Sequence, residues 1–367
     1  MMAYLDSHVQ TSNLLPSSLG KGVCGLIVAL ILGGCQGSSQ QRGYFHENLP
    51  QNYQPEDFQP EDFQHQEYHH RAMGIEFRIV VKSPQGSDPT SAVLRAFERI
   101  DQIEDVASDW KRSSEVRQFC RSAPHSEPVS VSDDLAEILQ ISRQVHDQTQ
   151  GRFDVTLGAA TRLWRRCFRA ERLPSESDLE RVKKLCGMQF LEIKGRQARL
   201  LKAGIEIDLG GIAKGYAVDK ALQVLIESGF PHSLVDGGGD LAFGQAVPGS
   251  SGWLIDLSSE VYRFTSPGAV ATSGAEARHI EVDGVLFSHI LDPKTGLGLS
   301  RTVWVTVYAE KATIADAFAT AYSVPGRIPE ASKLGSESFP RAIRVFDPTT
   351  TEVKWWGQIS DQSSIPW

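Results

Sequence analysis

The chain has 367 residues, 41% of them hydrophobic, enough to build one large domain or two smaller ones around a sizeable core. Its formal net charge is −8, and no basic patch or run of interleaved aromatics stands out, which argues against a nucleic-acid binder. Aromatic residues make up only 8%, so stacking recognition is not a dominant theme.

Residues 1–34 read as a secretory signal. Lys21 precedes a short apolar run, Val23 to Leu32, far below the ~20 residues needed to span a bilayer but suited to the apolar centre of a signal peptide. The run closes on Leu32, Gly33, Gly34 and Cys35. This ending resembles a bacterial lipobox, which implies cleavage before Cys35 and lipidation of its thiol; an ordinary signal peptide with a chance cysteine is the alternative. The expected location is therefore the bacterial cell envelope, anchored at Cys35 and facing the periplasm, with more than one acyl chain needed for stable attachment. Cys120, Cys167 and Cys186 remain in the mature chain, with no CxxC pair to suggest zinc. One disulfide among the three stays open, its pairing unassigned.

Residues 35–70 read as a tether. The stretch QPEDFQPEDFQHQEYHH repeats Gln-Pro-Glu-Asp-Phe and is too polar to bury a core. His65, His69 and His70 could suggest a metal, but histidine-rich tethers of this kind seldom carry one. The folded body is expected over 71–367. IEFRIVV alternates as a strand, and Thr90–Ser108 places Val93, Phe97, Ile100, Ile103 and Val106 on one helical face. Ser132–Gln150 does the same, with Ser132 as N-cap and Gly151 just past the end. IEIDL reads as a strand and Ile212–Ser228 as a helix stopped by Gly229. Short strands follow in SLVDG, GWLIDL, AVATSG, HIEVDG and TVWVTVYA, then a helix over Thr313–Tyr322 and a strand in RAIRVFD. The mixture predicts an α+β fold without βαβ alternation.

Five stretches carry groups suited to chemistry. In IEIDLGGIAKGYAVDKA, Gly210 and Gly211 lead into a helix, offering free N–H groups and a dipole end with Lys214 beside them. That is an anion site suited to phosphate, although a tight turn with a surface lysine reads equally well. Asp208 just before it would repel a phosphate unless it binds something else. In TIADAFATAY, Asp316 and Thr320 are four apart and share a helical face, a carboxylate–hydroxyl pair suited to Mg²⁺; a Thr bonded back to a carbonyl is the plainer reading. In FSHILDPKTG, His289 precedes a turn and could act as a general base or merely end a strand. VDGGGDL sets three glycines between acids, and Thr272 and Ser273 of AVATSGAEARH are ligand-contacting hydroxyls or turn residues.

Taken in order, DLGGIAKGYAVD, DGGGDL, ATSG, SHILDPKTG and ADAFATA resemble the ApbE family, the FAD:protein FMN transferases. AMGIEFRIVV, SDWKRSSEVRQF and GRFDVTLGAATRLW are similar to that family's upstream segments, so the resemblance spans residues 71 to about 325. It implies a single ApbE-like, T-fold-like catalytic body of β-sheet and helix in two layers. It implies Mg²⁺-dependent transfer of FMN from FAD to a Thr or Ser hydroxyl of an acceptor protein, with release of AMP. By the same resemblance Mg²⁺ is held by the Gly211 carbonyl, Asp316 and Thr320. FAD is contacted by Met73, Trp110, Arg152, Phe153, Asp154, Lys214 and Ile290, with Asp208 on its nucleoside part and His289 as base. The acceptor would be another exported protein, such as a membrane redox-pump subunit, because this chain lacks the D-x-x-[ST]-G-A-T stretch of family acceptors. Four positions depart from the family's pattern: Trp110 for Tyr, Asp236 for Asn, Ala319 for a second helix acid, and Arg152 for a small residue. FAD hydrolysis to FMN and AMP, or flavin carriage without chemistry, would use the same site.

Overall fold

The computed structural model describes residues 63–257, 260–274, 279–300, 303–328 and 339–357. The expected signal, the lipidated Cys35 and most of the tether lie outside these residues. In chain order the elements are β1 (Phe63–Ala72), β2 (Ile75–Pro84), α1 (Thr90–Ala107), α2 (Glu115–Arg121), β3 (Val129–Ser130), α3 (Asp133–Gln148), α4 (Gly158–Arg169) and α5 (Glu176–Lys183). Then come β4 (Leu191–Lys194), β5 (Gln197–Leu200), α6 (Ala213–Glu227), β6 (Ser233–Asp236), β7 (Leu241–Phe243), β8 (Trp253–Asp256), β9 (Val261–Phe264) and β10 (Gly268–Gly274). The chain continues with β11 (His279–Val282), β12 (Val285–Ser288), β13 (Trp304–Ala309), α7 (Ala312–Ser323), β14 (Ala342–Asp347) and β15 (Glu352–Gly357).

Eight strands form one antiparallel sheet in the order β1-β2-β6-β7-β10-β13-β14-β15. Because side chains alternate across a strand, each strand feeds two cores. Ile79 and Val81 of β2, and Ala269 and Ala271 of β10, face α1, α6 and α7 in the main core. Val80 and Val270, between them, face the β8–β9 hairpin and pack with Trp253, Ile255 and Phe264. A third cluster joins α4 and α5 to the β11–β12 hairpin through Leu163, Trp164, Val182 and Ile280. The expected α+β architecture of sheet and helix is what the chain adopts.

Two boundaries differ from the sequence reading. Phe63–His70, expected to be tether, belong to β1, which pairs with β2 through all ten residues. The polar composition hid it, since main-chain pairing needs no apolar side chains and β1 buries only Tyr68 and Ala72 at this sheet edge. IEIDL is extended but is not a ladder strand: it makes a single parallel bridge, Leu157 to Glu206, with Asp208 N donating to Val155 O at 2.8 Å. The helical readings hold closely. Ser132 caps α3 by accepting from Leu135 N at 3.1 Å, and Gly229, at φ 89°, ends the α6 region.

α6 and α7 cross at very close range. A Cβ on Gly215 would lie 2.3 Å from Ala312 O, so only glycine allows the two backbones to meet there. α7 is buried along almost its whole length, and its start is held from outside: Asp219 of α6 accepts from Ala312 N (2.7 Å), Thr313 N (2.9 Å) and Thr313 Oγ1 (2.5 Å). The two N–H groups are orphan donors of a helix N-terminus, satisfied by a neighbouring helix.

Candidate active site

The approach of α6 to α7 brings the glycine turn onto the Asp–Thr face. A Cβ on Gly211 would sit 3.0 Å from Thr320 Oγ1 and 3.3 Å from Phe153 Cε2, so bare backbone is what leaves room at this point. Thr320 Oγ1 lies 3.4 Å from Ser273 Oγ on β10. Thr272, one residue earlier, faces the other way and meets Thr306 Oγ1 at 3.0 Å, as strand alternation requires. One turn before Thr320, Asp316 is 3% exposed; its Oδ2 accepts from Gly215 N at 3.2 Å and stands 3.9 Å from Lys214 Nζ.

Charge in this pocket is unevenly balanced. Burial, reinforced by the nearby Asp240 carboxylate, pushes the Asp316 carboxyl up to about 7 against the pull of Lys214. The Lys214 ammonium is bound directly by Asp240. Burial works against that ammonium, but the carboxylates of Asp240 and Asp316 outweigh it and raise its pKa above the ordinary lysine value. The other acid of the glycine run, Asp236, accepts from Gly239 N at 2.9 Å and faces Arg78 at 3.5 Å, so its charge closes a turn.

A second group gathers around Asp208. Asp208 Oδ1 accepts from Gly210 N at 2.9 Å, fixing the turn, while Arg165 Nη2 of α4 lies 3.6 Å from its Oδ2. Arg165 also binds Asp109 and lies over the Trp110 ring, 4.5 Å from its centroid. Asp109, Trp110, Arg117, Arg162, Arg165 and Glu206 line a cavity of about 110 Å³ here. Met73 sits in the left-handed region at φ 53°, its N–H donated to Glu104 Oε1 at 3.0 Å; Glu104 also holds Lys111, next to Trp110.

A third group is the loop after β12. His289 is exposed at its tip. The loop is pinned from below: Trp164 Nε1 donates to Ser288 O at 3.0 Å, Ile290 N donates to Ser288 Oγ at 2.9 Å, and Leu299 N donates to Ile290 O at 2.9 Å. α4 therefore supplies Trp164 to the His289 loop and Arg165 to the Asp208 group.

The structure thus unites Gly211, Thr320 and Phe153, places Lys214 beside Asp316, and joins Asp208 to Trp110 through Arg165. Two expected FAD contacts are engaged elsewhere. Arg152 reaches toward the end of α7, donating to Arg327 O (2.6 Å) and Thr149 O (3.1 Å) and lying over Tyr322. Asp154 spends Oδ1 on Thr156 N (2.8 Å) and Thr156 Oγ1 (2.5 Å), closing its own turn. Asp240, Asp219, Trp164 and Arg165 were not read as site residues. Asp240 and Trp164 lie inside quoted motifs, but their partners are 26 and 124 residues away, a distance no local pattern reports. Cys120, Cys167 and Cys186 are all free thiols, so the disulfide left open above is not formed.

No group of three His, Cys, Asp or Glu side chains is placed to hold a metal among the described residues. The set at hand is different in kind: one buried carboxylate, one hydroxyl, and a glycine backbone brought against that hydroxyl. Hard oxygen donors few in number, beside a carboxyl that burial drives toward neutrality, fit a strongly hydrated divalent cation.

Comparison with known proteins places the chain in a family. The model of the ApbE family matches residues 73–338. An FAD:protein FMN transferase of Chlamydia muridarum is 30% identical over 258 residues, covering 68% of this chain and 81% of its own. Its counterpart from Vibrio cholerae is 28% identical over 268 residues, covering 69% and 79%. Among solved structures, the ApbE protein of Thermotoga maritima aligns with a TM-score of 0.66 at 30% identity, over 79% of this chain and 96% of its own. The flavin transferase ApbE of Vibrio cholerae, at 24% identity, shares the fold with a TM-score of 0.70 over 81% and 98%. The chain belongs to the ApbE family.

Proposed function

We propose that this chain transfers FMN from FAD to a Thr or Ser hydroxyl of an acceptor protein, releasing AMP. The observation that supports the reading is the close approach of the Gly211 backbone to Thr320, one helical turn from the buried Asp316, from segments about a hundred residues apart in sequence. Relatives of this chain are named FAD:protein FMN transferase.

The acceptor oxygen bonds to the phosphorus that carries the flavin half, the pyrophosphate P–O bond breaks, and AMP leaves with the electron pair. Mg²⁺, held by the Gly211 carbonyl, Asp316 and Thr320, would supply charge neutralisation for the pyrophosphate when bound. Lys214 contributes fixed positive charge at the same helix start. His289, exposed on a loop pinned by Trp164, takes the hydroxyl proton at an imidazole nitrogen. Its exposure suits a substrate that arrives on another protein. Trp110 and Asp208 orient the rings and sugar of FAD. The resemblance of residues 32–35 to a lipobox adds a place: a lipid anchor at Cys35 would hold the enzyme at the envelope surface, facing exported acceptors such as redox-pump subunits.

Incubation with FAD, Mg²⁺ and an acceptor domain bearing the flavinylation sequence tests this. Flavin fluorescence on the acceptor band of a denaturing gel, absent without Mg²⁺, is the expected result. Free FMN with no labelled band would make the chain a hydrolase, and intact bound FAD would make it a carrier.

A further inference from the structure

The Asp208 group contains an arrangement that the transfer reaction does not by itself explain. Asp109 and Asp208 reach the same guanidinium from different segments, and their side chains are only 19% and 15% exposed. Two carboxylates so placed repel one another unless a cation divides them. Arg165 does so with separate nitrogens: Nη1 to Asp109 and Nη2 to Asp208 Oδ2 at 3.6 Å. The planar fork of arginine suits this double engagement in a way a lysine ammonium does not. The neighbouring arginines are committed elsewhere, Arg117 and Arg162 both to Glu206. The same guanidinium covers the Trp110 ring, which nonetheless remains 68% exposed.

We infer that Arg165 is a positioning residue for the nucleotide: it divides Asp109 from Asp208 and backs the Trp110 ring, so that carboxylate and indole are both held ready for FAD. The inference rests on the FAD-binding reading above. The state of Asp109 agrees with it, since burial and the Asp208 charge raise its carboxyl above the ordinary aspartate value and Arg165 opposes both. Removing the guanidinium leaves two facing carboxylates and an indole with nothing behind it. FAD binding should weaken, while the chemistry at Asp316 and His289 is left alone.

The test is FAD affinity by flavin-fluorescence quenching, with transfer kinetics, in the full chain. Arg165→Met should weaken FAD binding about tenfold and raise KM to match, with kcat at saturating FAD within twofold of wild type and a native circular dichroism spectrum. Adding Asp109→Asn should restore most of the affinity, because the repulsion is then gone. Arg165→Lys should fall between wild type and Arg165→Met. Unchanged affinity in Arg165→Met overturns the inference while leaving the function standing. A loss that Asp109→Asn does not restore also overturns it, because Arg165 would then be touching the nucleotide directly or supporting the fold. A wild-type chain that binds no FAD overturns the function and this inference together.

Discussion

At Gly211 one absent side chain decides what the turn can do. An added Cβ would press within 3.0 Å of Thr320 Oγ1, inside ordinary contact distance, and would push the turn away from the Thr320 hydroxyl that the proposed cation would share. Gly211→Ala should therefore raise the Mg²⁺ concentration for half-maximal transfer by about tenfold or more, read from rate against Mg²⁺, while circular dichroism stays native. His289 is the converse case, an exposed side chain on a loop. His289→Ala should slow transfer on the order of 10²-fold, the usual worth of a positioned base, with FAD affinity retained. The candidate residues were legible in the sequence as types and spacings: Asp316 and Thr320 four apart, two glycines before a helix, a histidine before a turn. Their ionic partners were not. That Lys214 answers Asp240, that Asp236 answers Arg78, and that Arg165 answers two acids follows from tertiary neighbours, which spacing along a chain does not encode.

The elements show where sequence pattern reports faithfully and where it fails. α1 and α3 were readable because each must turn an apolar stripe inward, and the 3.6-residue period records that duty. β1 was unreadable because an edge strand is held mainly by main-chain pairing, and its polar residues look like linker. IEIDL failed in the opposite way: its apolar residues are buried, yet a loop beside α4 takes up its backbone groups in place of a sheet. β1 carries a measurable signature. Glu67 faces His69 (3.1 Å) and Arg78 (3.5 Å); hydrogen bonding from His65 and the charge of Arg78 outweigh burial and lower its carboxyl from 4.5 to about 2. A carboxylate so depressed adds stability above the unfolded value that disappears as pH falls through the folded one. Urea denaturation should show wild type more stable than Glu67→Gln above about pH 5, with the advantage shrinking as pH drops from 4.5 toward 2. Helix α7 depends on a donor set answered by another helix. Asp219→Ala strips three hydrogen bonds from its start and should cost about 1–2 kcal/mol in denaturant unfolding, in line with the loss of a strong cap.

Across the whole molecule, the sheet is a frame and the chemistry sits where its helical layer meets the loops around α4. The proposed metal donors would come from the turn before α6 and from α7, the proposed nucleotide group from the segments around 108–110, 165 and 208, and the proposed base from a loop pinned by Trp164. The main core closes through apolar side chains such as Ile79, Val81, Ala217 and Phe318, so the proposed metal should be dispensable for folding. Treatment with EDTA should abolish transfer while leaving the circular dichroism spectrum intact, and added Mg²⁺ should restore activity in full.

Cys120, Cys167 and Cys186 are unpaired, and Cys120 is spent on a backbone bond, its sulfur accepting from Ile207 N at 3.2 Å. Burial pushes the thiols of Cys120 and Cys186 up to about 11, so very little of either is thiolate at neutral pH. The catalytic body thus owes nothing to covalent cross-links. It should therefore fold in a reducing host and keep its fold with dithiothreitol present.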